Sequence, residues 1–413
     1  MTTTSRATQG AENDDARWRV LGLVCAGVVL SMTTWFSATA ITPELVRVWG
    51  FSTAQTPWLI NTVQIGFVLG ALASSLVCLP DIVSLRKLMG TSAILAAAAN
   101  LYLLVAPSVG LLMLARVVTG IALAGIYPPA LKLIATWFQR GRGTALGTVI
   151  AALTLGSAFP HLIRVLTYRV AWQAVVAASS VATVGGAALM LLFAVEGPFP
   201  FSRATFDPRC LGAVIRNRPL ALANLGYFGH MWELYAMWGW FLAFSGAALP
   251  HLGFPGQKAA SLLTFTVVAS GVIGSIGGGL LADRIGRTAQ AALMMTLSGL
   301  CASTIGLVFD GPPWLFLLVA VLWGVTVIAD SAQFSAMATE LCDPRLVGTA
   351  LALQLGLGFA LTVVSIRLTP MLAAAVGWRW SFLMLVPGPI VGVLAMWLLR
   401  RQPDARRIAH GLQ

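Results

Sequence analysis

The chain has 413 residues, of which 58% are hydrophobic and only 10% are charged, and its formal net charge is +12. About a quarter of the residues in an ordinary soluble domain are charged, so this composition excludes a soluble globular protein. The basic residues are scattered between apolar segments and do not form the single basic face that a nucleic-acid partner requires. We therefore expect an integral membrane protein that contacts the lipid bilayer and a small-molecule substrate, with no nucleic acid.

Residues 1–17 are polar, and we expect them to form a disordered cytoplasmic tail. The apolar segment that begins at Val20 is too long for the core of a cleaved signal peptide. Windows of about 19 residues delimit twelve apolar spans of membrane-crossing length. The spans lie near residues 20–42, 57–80, 88–107, 109–137, 143–167, 171–195, 219–247, 259–282, 288–309, 313–340, 346–371 and 376–399. The predicted fold class is an all-α integral membrane protein with twelve transmembrane helices.

One polar interval divides the spans into two groups of six. The division predicts a six-helix half at residues 18–195, a cytoplasmic linker at 196–218, a second six-helix half at 219–400 and a cytoplasmic tail at 401–413. Eighteen of the 26 Lys and Arg residues would lie on the linker side, and only four on the opposite side: Arg47, Arg169, Lys258 and Arg379. Because basic residues accumulate on the cytoplasmic side, we expect both termini to be cytoplasmic.

A compact basic segment at residues 277–290 follows the eighth span. Five of its residues match one by one the pattern GxLaDrxGrr, found after the second helix of each half in the major facilitator superfamily: Gly279, Asp283, Arg284, Gly286 and Arg287. Asp81 holds the equivalent place in the first half, and Gly-Thr-Ala-Leu occurs at both Gly143 and Gly348. Residues 18–400 thus resemble that superfamily, which implies two pseudo-symmetric six-helix bundles working by alternating access. We expect Asp283 to be a conformational latch at the cytoplasmic edge that holds the outward-open state together.

Charged side chains at membrane depth are costly and mark functional sites by default. Eight charged or histidine residues within the predicted spans are candidates: Arg116, Lys132, His161, Arg164, His230, Glu233, Asp330 and Arg367. Lys132, Arg164 and Arg367 lie near span ends, where long side chains can reach the interface. A positive vestibule for an anion, formed by Arg164 and Arg367, is the other interpretation.

Arg116 begins the segment RVVTGIALAG of the fourth span. The segment resembles a second motif of the superfamily, RxxqGxgxa, whose arginine faces the central cavity and serves proton coupling or anion binding. Tyr127 falls on the same helical face. The alternative is a structural arginine that binds the backbone carbonyls of a neighbouring helix.

Glu233 lies near the bilayer midplane in the seventh span, on one helical stripe with His230. A carboxylate there must be neutral, paired with a cation, or exposed to water in a cavity. We expect Arg116 to face it across the central cavity, so that a substrate anion competing for Arg116 would let Glu233 take up a proton. The alternative is a packing salt bridge.

Three further residues complete the predicted site. Asp330 of the tenth span is either a site residue or a helix cap or inter-domain contact. Trp35 and Tyr235 lie deep in their spans and could stack on a planar substrate.

The predicted function is secondary active transport of a small organic or inorganic solute, with an anion favoured, across the inner membrane of a bacterial-type cell. The segment HMWELYAMW resembles the nitrate and cyanate-type anion porters, and the Gly-Pro-Gly motif of the drug antiporters is missing from the fifth span. Proton-coupled efflux of planar aromatic or drug-like compounds is the alternative, and a non-transporting receptor on the same fold is the rival from another class.

Other functional classes lack their sequence signals. The chain has no G-x-x-x-x-G-K-[ST] loop for ATP, so we expect coupling to a proton or another gradient. No nucleophile and base are paired as in an enzyme. Five cysteines occur without metal-ligand spacing: Cys25, Cys78, Cys210, Cys301 and Cys342. We expect no cofactor, no metal and no obligate protein partner.

Overall fold

The computed structural model describes residues 3–138, 141–199, 211–343 and 346–412, and the chain is helical through most of these ranges. The numbered helices are α1 Thr3–Met32, α2 Ser37–Ala40, α3 Thr42–Trp49, α4 Trp58–Leu76, α5 Leu79–Ile82, α6 Leu85–Leu101, α7 Val109–Ala124, α8 Tyr127–Ala135, α9 Arg142–Leu166, α10 Gln173–Phe193, α11 Leu211–Arg216, α12 Arg218–Ala248, α13 Gln257–Ile285, α14 Arg287–Thr304, α15 Pro313–Thr326, α16 Ser331–Leu341, α17 Val347–Val376, α18 Trp378–Ser381 and α19 Pro387–Arg400. Three 3₁₀ turns add Tyr102–Leu104, Phe382–Leu385 and Pro403–Gly411.

Nine helical segments within the described ranges are long and apolar enough to cross a membrane. They are Trp58–Leu76, Leu85–Leu104, Val109–Ala135, Gly143–Leu166, Gln173–Phe193, Gln257–Ile285, Pro313–Leu341, Val347–Val376 and Trp378–Arg400. The other three expected spans coincide with α1, α12 and α14, which fall short of this standard. In α12 the polar residues Asn224, His230 and Glu233 lie inside the helix and are buried.

The first expected span is not one continuous helix. α1 extends back to Thr3, whereas the sequence predicts a disordered tail up to residue 17; no proline interrupts this stretch. The helix then ends at Met32, and residues 33–36 separate it from α2. A hydropathy window does not detect this break, because it averages the hydroxyl residues of segment 31–39 with the apolar residues around them.

Two more helices break in equivalent places of the two halves. α7 ends at Ala124, and α8 starts at Tyr127 with prolines in its first turn. In the second half, α15 ends at Thr326 and α16 starts at Ser331. Each break frees backbone groups that other residues must satisfy.

Glycines bring paired helices into backbone contact inside each half. A Cβ atom at Gly120 of α7 would lie 2.1 Å from the carbonyl oxygen of Val63 in α4. Likewise, a Cβ atom at Gly274 of α13 would lie 1.8 Å from the carbonyl oxygen of Val325 in α15. Only glycine permits such packing, which is typical of membrane helices.

The first half (α1–α10) meets the second half (α12–α19) along α9 against α13 and along α4 against α17. We call the end of the bundle that carries α11 the linker end, and the opposite end, which carries α3, the distal end. Among the described residues, the side-chain hydrogen bonds that join the halves lie toward the distal end. They are Gln257 Nε2 to both Glu44 carboxylate oxygens (2.9 and 3.0 Å), Arg367 Nη1 to Ala54 O (2.7 Å) and Asn61 Nδ2 to Val363 O (3.1 Å).

Candidate functional site

Arg116 is fully buried and binds the broken segment between α1 and α2. Its Nη2 donates to Trp35 O at 2.6 Å, and its Nη1 donates to Thr34 O at 3.0 Å and to Ser37 Oγ at 3.3 Å. Its Nε donates to Leu59 O of α4 at 3.4 Å. The guanidinium therefore satisfies carbonyls that the helix break leaves without intrahelical donors, as in the structural alternative drawn from the sequence.

Trp35, whose carbonyl Arg116 holds, places its ring at the interface between the halves. It stacks on Tyr235 of α12 with ring centroids 5.6 Å apart and an interplanar angle of 20°. Phe359 of α17 lies 5.1 Å from Tyr235 and 4.6 Å from Phe67 of α4. We call Trp35, Phe36, Phe67, Tyr235, Trp238 and Phe359 the central aromatic cluster. Both halves contribute to it, and it contains the two aromatic residues predicted from the sequence.

Several buried polar atoms near this cluster have no hydrogen-bond partner among the described residues. They include the indole nitrogens of Trp35 and Trp238 and both amide atoms of Gln64, a fully buried residue of α4. Gln64 lies one turn from Phe67 on the same helix. Because unpaired buried polar groups are costly, these atoms are available to hydrogen-bond a solute.

Glu233 points into the second half, away from the central aromatic cluster. It accepts hydrogen bonds from Trp323 Nε1 of α15 at 2.6 Å and from Ser298 Oγ of α14 at 2.9 Å. Residues two apart on a helix lie about 200° apart, so Glu233 and Tyr235 occupy opposite faces of α12. The predicted pair of Glu233 with Arg116 across a central cavity is therefore wrong for this conformation.

His230 and Asp330 form a buried pair beside Glu233. Their Nδ1 and Oδ1 atoms lie 2.8 Å apart, and both side chains are at most 2% exposed. Asp330 occupies the residue before α16 but makes no side-chain capping hydrogen bond. Nε2 of His230 has no partner among the described residues. The second half thus encloses two carboxylates and one imidazole, which we call the second-half ionisable cluster.

The loop motif contacts other helices at the linker end. Arg287 binds Glu340 through two nitrogens at 2.8–3.2 Å and donates to Gln333 at 3.0 Å. Gly286 has a φ of 90°, which favours glycine, and it separates α13 from α14. Asp283 and Arg284 are exposed.

In the first six-helix half, the equivalent loop residue, Asp81, forms an ion pair. Asp81 binds Lys132 of α8 at 2.6 Å. A Cβ atom at Gly279 would meet nothing within 4 Å, and Gly274 and Gly278 make the close helix approach instead.

The remaining predicted residues lie around the rim of the site. Tyr127 is the first residue of α8. The continuous face predicted for Tyr127 and Arg116 is interrupted by the break after α7. Arg367 is used in an inter-half hydrogen bond at the distal end, and Arg164 there forms an ion pair with Glu44.

The sequence profile of the Major Facilitator Superfamily matches residues 23–256 and 234–411, which together cover most of the chain. The chain belongs to the major facilitator superfamily. It is 24% identical over 305 residues to the MFS-type transporter opdF of Penicillium oxalicum, a match that covers 70% of this chain and 68% of that protein.

Two solved structures share the fold of this major facilitator protein. One is a bacterial homologue of the human lysosomal transporter Spinster in an inward-facing, unoccupied conformation; the TM-score is 0.71 at 14% identity, covering 94% of this chain and 97% of that one. The other is the proton:xylose symporter XylE bound to 6-bromo-6-deoxy-D-glucose, with a TM-score of 0.72 at 13% identity, covering 94% and 96%. The chain is accordingly a multi-pass membrane protein of a transporter family.

Sequence reasoning missed three residues of this major facilitator protein that the structure brings to the site. Ser298 and Trp323 bind Glu233, and Gln64 lies beside the central aromatic cluster. Serine and tryptophan are common in membrane helices and are uncharged, so the sequence does not distinguish Ser298 and Trp323 as site residues. Gln64 could have been identified, because an amide side chain is unusual in an apolar span.

Proposed function

We propose that the protein is a secondary active transporter of a small organic anion with a planar group, working by alternating access between its two halves. The observation that carries the proposal is the stacked pair of Trp35 and Tyr235, since one ring comes from each half. A planar solute inserted there would contact both halves at once, as alternating access requires. Stacking geometry of this kind favours planar groups.

The charge of Arg116 supports an anionic solute. All its acceptors are neutral: three backbone carbonyls and one hydroxyl. Among the described residues no carboxylate forms an ion pair with it, so its positive charge is not cancelled locally. In a medium of low dielectric this charge acts over a longer distance than in water, and it favours a negative group beside Trp35.

We propose that a proton drives this transport and that it binds the second-half ionisable cluster. Buried acidic groups and histidines inside a membrane protein typically mark proton pathways. Among the described residues the donors to Glu233 are neutral, Ser298 and Trp323, so gain or loss of a proton changes the charge enclosed in the second half. Nε2 of His230, which has no partner within the described ranges, adds a second proton acceptor to the same cluster.

The proposed topology is twelve spans with both termini in the cytoplasm, in the inner membrane of a bacterial-type cell. In that orientation the linker end is cytoplasmic and the distal end faces outward. The inter-half hydrogen bonds at the distal end support an outward-closed state. The exposure of Asp283 fits the outward-closed state, because the proposed latch holds the outward-open state together.

The test is uptake by purified protein in liposomes with an inward proton gradient, using benzoate, aliphatic carboxylates, nitrate and neutral indole as solutes. We expect uptake of aromatic carboxylates, and Trp35→Ala and Tyr235→Ala should raise KM at least about tenfold by loss of stacking. Trp314→Ala is the matched control, because Trp314 is 66% exposed on the outer surface. Uptake of nitrate alone, or equal effects of all three variants, would contradict the proposed site.

The aromatic cluster also supports the second candidate, export of neutral planar compounds. Export differs from the proposed uptake in the direction of transport and in the charge of the solute. Inside-out vesicles would accumulate indole, and benzoate would not compete with indole for transport. A non-transporting receptor would move no solute in either arrangement.

A further inference from the structure

A cavity of about 350 Å³ lies between the halves toward the distal end, separate from the central aromatic cluster. Thr39, Thr42 and Pro43 line it from the first half, and Trp240, Gly246 and Gln257 are among the residues that line it from the second. Its volume is at the small end of the range for ligand pockets, about 300–1,000 Å³. Most of its wall is apolar or formed by small residues.

Thr39, which lines this cavity, carries an unsatisfied hydroxyl group. Thr39 is 2% exposed, and its Oγ1 has no hydrogen-bond partner among the described residues. Threonine in a helix usually donates to the carbonyl four residues earlier, which here belongs to Trp35. That carbonyl already accepts from Arg116 at 2.6 Å. The neighbouring Thr42 hydroxyl, by contrast, donates to Ala38 O at 3.2 Å.

A helix N-terminus supplies the second polar edge of the cavity. α13 is 29 residues long and begins at Gln257, and no side chain of the described ranges caps its first turn. Gly256, Gln257 and Ala260 of this turn line the cavity. The first-turn N–H groups and the positive end of the helix dipole together favour an anion.

The cavity adjoins a more open one of about 620 Å³ with which it shares Pro43 and Gln257. Arg47, Arg164 and Glu44 line this outer cavity, so its ionisable lining residues carry two positive charges and one negative charge. Gln257 also bonds Glu44 across the two halves. An anion would meet a net positive approach to the inner cavity.

We propose that this inter-half cavity is a second binding site, for a small aromatic or aliphatic monocarboxylate. The carboxylate binds the Thr39 hydroxyl and the first turn of α13, and the apolar body lies against Trp240 and the small residues of α12. Because both halves form the walls, a ligand there binds the distal-closed state and stabilises it by mass action. The site is a regulatory one, distinct from the central aromatic cluster.

The experiment is ¹⁹F NMR titration of the full-length protein in detergent with 4-fluorobenzoate. To separate this site from the proposed transport site, the titration is repeated in the Trp35→Ala/Tyr235→Ala double variant, where binding should persist. Thr39→Val should weaken it about ten- to a hundredfold through loss of one hydrogen bond to a charged group. Thr62→Val is the matched control and should leave it unchanged, because Thr62 does not line the cavity and its hydroxyl already donates to Trp58 O at 2.7 Å.

A cavity-filling variant gives an independent readout. A Cβ atom at Gly246 would meet nothing within 4 Å, so Gly246→Phe can place its ring in the cavity without backbone strain and should abolish binding. Gly22→Phe, also at a position with open space but on α1, is its control. The proposal is overturned if 4-fluorobenzoate does not bind, if binding survives Gly246→Phe, or if the double variant removes it. Loss of transport with binding intact would count against the proposed function alone.

Discussion

The guanidinium of Arg116 should be required for its shape as well as its charge. We compare Arg116→Lys, which keeps a positive charge, with Arg116→Met, which keeps similar length and packing. The native side chain reaches acceptors in three directions: Trp35 O, Thr34 O and Leu59 O. A lysine ammonium presents its donors from a single point, so it cannot reproduce this fork.

The expected loss of stability follows from the carbonyl that is left unpaired. Trp35 O loses its donor, whereas Thr34 O also accepts from Ser37 Oγ at 3.1 Å and Leu59 O lies inside α4. One unsatisfied buried acceptor costs about 1–3 kcal/mol, so Arg116→Met should be destabilised by about that amount. Arg116→Lys should retain one or two of the bonds and lose about half as much. Both variants should lose most transport, because the segment that carries Trp35 would shift away from Tyr235.

The assay pairs thermal unfolding of the purified protein with solute uptake in liposomes. Thr119→Val is the control, since Thr119 is equally buried on α7 but bonds only Ala115 O within its own helix. It should change stability by less than about 1 kcal/mol. If Arg116→Lys keeps the stability and uptake of the native protein, the side chain acts as a simple charge and its role in holding the α1–α2 break is refuted.

The remaining predictions concern coupling, the latch and topology. Glu233→Gln should abolish proton-driven accumulation while sparing solute exchange at equal pH, and full accumulation by this variant would make Glu233 a packing residue. Asp283→Asn should slow transport in liposomes and leave equilibrium solute affinity, measured by titration, nearly unchanged; a large affinity loss with normal turnover would place Asp283 in the binding site. A reporter enzyme active only outside the cytoplasm should be silent when fused within residues 203–216 or at the C-terminal end, and activity at either place would reverse the proposed orientation.

The family, and part of the interface between the two halves, can be predicted from short segments of the sequence. The loop motif at residues 277–290 needs only five residues in a short basic interval, and Gly286 adopts the positive φ that its place between two helices requires. The depth of Trp35 and Tyr235 in apolar spans predicts that both contact a substrate. The structure brings them into contact at 5.6 Å, although a substrate between them remains a prediction.

The partners of the buried charges could not be predicted from the sequence. A helical stripe groups His230 with Glu233, but it does not say which neighbouring helix the stripe faces. That depends on how α12 is rotated in the bundle, and contacts with Ser298 and Trp323 lie far along the chain. Arg116 is the clearest case. Three of its four acceptors, Thr34 O, Trp35 O and Ser37 Oγ, lie where α1 breaks after Met32, and the mean hydropathy of segment 20–42 does not reveal that break.

The rotation of α12 also changes how substrate and proton can be coupled. Competition for one shared countercharge would require Glu233 and Arg116 to face the same space, and they do not. Instead α12 carries Tyr235 toward the first half and Glu233 toward α14 and α15. Any tilt or rotation of α12 that accommodates a solute at Tyr235 must therefore move Glu233 against its two donors. With the proton bound at the proposed second-half ionisable cluster, coupling passes through one rigid helix whose opposite faces serve the two ligands, and both sites bias the same conformational equilibrium.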